Sequence, residues 1–183
     1  NDFDLDDIIW MGPQPTIKEL AHKCGIKSIL AFTELEGTVR KALSEKRKIH
    51  YLPPYRGETK MLLGSLLKEN PCSMNISGSE ELIKAVVSLR SVKGEEEIEE
   101  IERAVNTAYE MHVTAMEMCK EGVIEKEIAG VIEGLALARG KGISFPVILS
   151  INGQTLHNHY HGNILRKGRM MVVDAGAESE LHY

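Results

Sequence analysis

Met170-Met171-Val172-Val173-Asp174-Ala175-Gly176-Ala177-Glu178 decides how the chain is read: an apolar strand closes on a carboxylate and opens into a glycine turn. A carboxylate at the mouth of a rigid strand, with imidazoles arriving from the preceding segment, presents oxygen and nitrogen ligands to a divalent metal. An imidazole stands 17 residues upstream at His157, the first of three alternating histidines, His157, His159 and His161. In a strand, all three would share one face at spacings of roughly 6.5–7 Å, which one metal cannot span without a bend. A polar surface strand or loop is the plain alternative for the histidines. For Asp174 the alternative is a turn residue whose carboxylate accepts backbone hydrogen bonds. One carboxylate does not make a metal site, and the chain stops nine residues later, so the function is expected to belong to a longer protein.

Outward from this strand, Phe145 to Ile151 reads as its partner, with a turn at Asn152-Gly153 and another at Arg166-Lys167-Gly168. Two amphipathic helices precede it. Ile128, Val131, Ile132 and Leu135 share one face between about Glu125 and Arg139, and a longer helix carries Ile101, Ala104, Val105, Ala108, Ala115, Met116 and Cys119 at the 3.6 period. Met111, Met116 and Met118 read as core filler and surface, because methionine packs adaptably. Glu95-Glu96-Glu97 suits the positive end of that helix, and the composition change at Ser91-Val92-Lys93-Gly94 divides the chain into residues 1–92 and 93–183. The second part is thus expected to be α+β, helices on an antiparallel sheet.

The first part has an αβαβα rhythm, expected to form an α/β layer. Helices are predicted over Thr16–Cys24, Glu34–Leu43 and Thr59–Leu67, and strands over Ile26–Thr33 and Ile49–Leu52.

Composition is globular, at 43% apolar and 27% charged residues, and the net charge of −5 with scattered basic residues argues against a nucleic-acid partner. No apolar run approaches the ~20 residues of a membrane span, so no membrane anchor is expected. Cys24, Cys72 and Cys119 are too few and too widely spaced for a disulfide framework, which points to a reducing cytoplasm. The acidic start, without methionine, is unlike a signal peptide, and both ends read as cut.

Taken in order, Lys93-Gly94-Glu95-Glu96-Glu97-Ile98, Phe145-Pro146-Val147-Ile148, Leu156-His157 and Val172-Val173-Asp174-Ala175-Gly176-Ala177-Glu178 resemble the pita-bread metallopeptidases. More narrowly, they look like the first half of the catalytic domain of an Xaa-Pro aminopeptidase (aminopeptidase P), a relative of prolidase and creatinase. The likeness covers residues 90–183 best. Through Ile8-Ile9-Trp10-Met11-Gly12 and Tyr51-Leu52-Pro53-Pro54 it reaches into the first part, which it identifies with a portion of a creatinase-like N-terminal domain.

The resemblance implies a centre of two divalent ions, usually manganese, with zinc or cobalt as alternatives. Asp174 falls on the first of five ligands, a second aspartate is expected within roughly a dozen residues, and a histidine and two glutamates come from the second half of the domain. His157 falls on the family histidine that contacts substrate, so it is both the catalytic and the substrate-binding candidate. The carry-over does not reach His159 and His161. The implied substrate is a peptide with proline in second position, and a homodimer is compatible with the family alone. Alone, this half is expected to be inactive and to expose unpaired strand edges. Prolidase is the near alternative, a metal-free peptide-binding relative the distant one, and a structural α/β domain without a site the plainest.

Overall fold

Asp4 and Thr16 each start a helix for the same reason: a side-chain oxygen accepts the N–H three residues on, Asp4 Oδ1 from Asp7 at 2.9 Å and Thr16 Oγ1 from Glu19 at 3.2 Å. The helices that follow are α1 (Leu5–Met11) and α2 (Ile17–Lys23). Glu19 reaches back to the Thr16 backbone N–H and hydroxyl, and these bonds hold its carboxyl below the usual carboxylate range. This computed structural model describes residues 4–74 and 78–183, and the chain divides into two units, Asn1–Arg90 and Ser91–Tyr183.

Within the first unit, α3 (Leu35–Ser44), α4 (Gly57–Leu67) and α5 (Glu80–Ser91) complete a set of short helices. The strands expected at Ile26–Thr33 and Ile49–Leu52 are not formed among the described residues. Residues 26–31 and 47–55 form no regular element and no ladder, and Phe32–Glu34 is a 3₁₀ turn. Branched apolar residues favour extended backbone, but a strand exists only through its neighbour. Ile26 and Leu30 accordingly stay 54% and 69% exposed. Tyr51 comes nearest to pairing, its carbonyl accepting the Ser79 N–H at 2.9 Å.

Charge at the helix start sets up the second unit. Glu97 Oε2 accepts the Gly94 N–H at 2.9 Å, opening α6 (Glu95–Met118), and α7 (Glu125–Arg139) packs on it. Two antiparallel pairs lie against the helices: β1 (Gly142–Ile143) with β4 (Ala177–Glu178), and β2 (Ile148–Ile151) with β3 (Met171–Asp174). The core gathers Met111 and Ala115 from α6, Ile128, Ile132 and Ala136 from α7, Val147 and Leu149 beside or on β2, and Ala175 and Ala177 after β3. Val105 and Met116, placed on the apolar face by periodicity, point to solvent instead, while Met111 takes a fully buried position. The turn expected at Asn152-Gly153 is present, with both residues at positive φ (70° and 63°). A Cβ on Gly153 would stand 2.5 Å from the Val172 side chain, so glycine is required there twice over.

Two glycines in α7 have no such need. Gly130 and Gly134 lie on its exposed face, and a Cβ at either meets nothing within 4 Å. Gly130→Ala and Gly134→Ala are each expected to stabilise this chain by about 0.5–1 kcal/mol, read from the urea midpoint at unchanged m. A lowered midpoint would show that this face is packed against something.

Candidate functional site

Asp174 is the last residue of β3, in register with Ile148 of β2, and its backbone continues through a tightly held turn. The Ala175 carbonyl accepts a hydrogen bond from His112 Nε2 of α6 at 3.1 Å. One residue on, the Gly176 carbonyl accepts the Ser144 N–H at 3.1 Å, and Ala177 then pairs with Ile143. A Cβ on Gly176 would come within 2.5 Å of Ser144 Oγ and 3.3 Å of the Phe145 ring, so the Asp-Ala-Gly sequence is fixed by close approach. The frame is rigid while the carboxylate is exposed. Among the described residues it makes no hydrogen bond and no ion pair, unlike a turn aspartate, which spends its oxygens on nearby backbone N–H groups.

The histidine segment is not a strand but an ordered loop between β2 and β3. It leaves β2 at Asn152, whose N–H donates to the Met170 carbonyl at 2.8 Å. Its far end runs beside the start of α7: Glu125 N–H donates to the Asn163 carbonyl, Lys126 N–H to that of His161, and Leu165 N–H to that of Val123. Between these ends, Asn158 folds the loop on itself by accepting the Tyr160 N–H at 3.0 Å and donating to its carbonyl at 2.8 Å. His157 and His159 are exposed, whereas His161 is half-buried with its ring against β2. The three histidines therefore do not act together.

Three polar side chains hold this arrangement: Glu125 and His112, which sequence reasoning passed over, and His161 of the alternating run, to which it assigned no role. Glu125 is fully buried, and its carboxylate accepts the Ile151 N–H at 2.7 Å, the Asn163 N–H at 3.2 Å and the Asn163 side-chain amide at 3.0 Å. His112 supports the turn after Asp174, and His161 supports the edge of β2. Position offered one clue: His112 lies next to Met111, on the flank of the buried stripe of α6. Glu125 gave none, because a glutamate in a first helical turn reads as a solvated dipole partner.

As a donor, Asp174 suits a hard divalent cation: it is anionic, exposed and held on a fixed backbone. It would supply one ligand. Among the described residues, no group of three or more His, Cys, Asp or Glu side chains gathers to hold a metal ion.

Residues 99–183 match metallopeptidase family M24. Over 97% of its length the chain is similar to proteins named probable Xaa-Pro aminopeptidase, 28% identical over 181 residues to one from Aspergillus terreus and 29% over 182 residues to one from Arthroderma benhamiae. It spans 36% and 34% of the length of those relatives. Among solved structures it is similar to a variant of Escherichia coli aminopeptidase P in complex with substrate, with a TM-score of 0.77 at 23% identity. It is also similar to Pseudomonas aeruginosa aminopeptidase PepP, with a TM-score of 0.78 at 16% identity. Each likeness covers 98% of this chain and 42% of the other. The fold is therefore that of aminopeptidase P in part, with the mixed helices and strands of the second unit forming a partial pita-bread domain.

Proposed function

We propose that the complete protein, of which residues 99–183 are metallopeptidase M24 sequence, is a metal-dependent aminopeptidase that releases the first residue from peptides with proline in second position. The observation that carries this reading is the Asp174 carboxylate, unspent among the described residues and held at the end of a pinned strand within the family segment. Two divalent ions are the implied cofactor, manganese first and zinc or cobalt as alternatives; bound, such ions activate water and polarise the scissile carbonyl. Asp174 would be one of their ligands.

What the protein's own residues do is more specific. Proline's nitrogen carries no N–H, so a peptidase that cuts before it cannot hold the substrate through that donor. His157, which is exposed on its loop, would hydrogen-bond the substrate near the scissile bond instead, the role that the family resemblance implies for it. His157→Ala in the complete protein is expected to lower kcat/KM on an Xaa-Pro-Xaa tripeptide by about 10- to 100-fold, the equivalent of one charge-assisted hydrogen bond. Its melting temperature should not move, because the side chain is exposed and makes no hydrogen bond or ion pair among the described residues.

The first unit is read as part of a creatinase-like N-terminal domain, and the protein as cytoplasmic, in keeping with its three free cysteines. No helix among the described residues is long and apolar enough to cross a membrane. The reading is tested by offering the complete manganese-loaded protein Xaa-Pro-Xaa tripeptides beside Xaa-Pro dipeptides. Hydrolysis of dipeptides alone would make it a prolidase, and hydrolysis of neither would leave a peptide-binding relative.

A further inference from the structure

We infer that His161 is a positioning residue for this reaction: its imidazole clamps the outer edge of β2 and so fixes where the loop carrying His157 stands. This rests on the reading that His157 contacts substrate. In an antiparallel pair, alternate residues turn their backbone groups to opposite edges. Asn152 N–H points to β3, bonding the Met170 carbonyl, so Val147, Leu149 and Ile151 turn theirs to the other side. Along that side, side chains stand where a further strand would. Glu125 takes the Ile151 N–H at 2.7 Å, and His161 lies with Nδ1 3.1 Å from the Leu149 carbonyl oxygen and Nε2 3.1 Å from that of Val147.

A carbonyl oxygen only accepts, so a bond from His161 to either carbonyl is made by a ring N–H, and the tautomer decides which nitrogen carries it. The Glu125 carboxylate takes the next places along the seam: it bonds Asn163 and Ile151, each two residues along from His161 and Leu149 on the same two segments. A buried carboxylate and a half-buried imidazole thus serve one seam with backbone partners.

The consequence for the site lies in the geometry of the loop. Between Asn152, tied to Met170, and His161, tied to β2, residues 153–160 are held by the Asn158–Tyr160 bonds made inside the loop itself. The backbone bond at Asn152 holds the near end of the loop, and at the far end, beside the bond from Lys126 to the His161 carbonyl, the imidazole is the tie that refers the loop to β2. A catalytic contact misplaced by about 1 Å costs on the order of 100-fold, and the cost falls on the chemical step.

The test uses the complete protein with manganese. His161→Ala is expected to lower kcat on an Xaa-Pro-Xaa tripeptide by roughly 30- to 100-fold with KM within about threefold and metal content unchanged. His161→Gln, which keeps an amide donor, should recover part of the loss. In a His157→Ala background the same change should cost at most about twofold, since the positioned group is gone. Amide exchange over residues 153–160 supplies a readout that needs no activity: it should quicken at least about tenfold in His161→Ala and stay unchanged in His159→Ala. Unchanged exchange in His161→Ala would overturn the clamp. Quickened exchange with full kcat would overturn the positioning role. A parent protein that cleaves no Xaa-Pro bond would remove the function from which the positioning role is drawn, while the exchange result would still decide whether the clamp exists.

Discussion

Asp174→Asn should leave the complete protein folded and nearly inactive. The amide keeps the shape of the side chain, so β3 should hold its register with β2, but the charge and one hard oxygen are lost. A metal centre supplies several kcal/mol of charge stabilisation in the transition state, and each 1.36 kcal/mol is a factor of ten, so a loss of about 1000-fold or more is expected in kcat/KM. Elemental analysis should show less bound manganese than in the parent. Because the carboxylate is exposed and makes no bond to the described residues, the melting temperature should shift by no more than a surface change allows, about 0.5 kcal/mol in stability. A variant with full metal content and full rate would remove Asp174 from the metal centre.

Glu125→Ala should have the largest effect on stability. The carboxylate is completely enclosed and is the common acceptor for Ile151, the Asn163 backbone and the Asn163 amide. Its removal strands three donors and opens a cavity. Each stranded group costs about 1–3 kcal/mol before relaxation, and a summed loss of about 3–5 kcal/mol is expected. For a unit of this size that corresponds to a fall in Tm on the order of 15–25 °C. Glu125→Gln keeps one acceptor oxygen and should lose about 1–2 kcal/mol. Thermal unfolding of this chain measures both. A Glu125→Ala chain within 1 kcal/mol of the parent would mean that the loop and β2 are held by something other than this carboxylate.

The elements of the second unit that buried a periodic apolar face were legible in the sequence. Ile128 and Ile132 read as helix, Met171 to Asp174 as strand, and Asn152-Gly153 as turn, because in each case local pattern and tertiary demand agree. Periodicity misplaced Val105 and Met116, whose side chains fall just outside the buried sector of α6. In the first unit, Ile26 to Thr33 has the composition of a strand, but composition carries no information about whether a neighbouring strand lies alongside. Asp174 was legible as a candidate ligand through its place at a strand mouth. The support around it was not, since Glu125, His112 and His161 take their roles from backbone groups 26, 63 and 12 or 14 residues away. Spacing along a chain records which residues share a helix face or a strand face. It does not record which carbonyl a distant imidazole will meet.

The seam filled by Glu125 and His161 also gives the β2–β3 hairpin a direction of growth. An open strand edge is a template that any extended segment can copy, from the same molecule or another. Here one border is already occupied by side chains, which cannot be displaced without stranding the buried Glu125 carboxylate. Recruitment of a new ribbon is therefore steered to the opposite border, along β3, the strand that ends in Asp174. The hairpin is a one-sided primer, and whatever extends it is delivered next to the carboxylate.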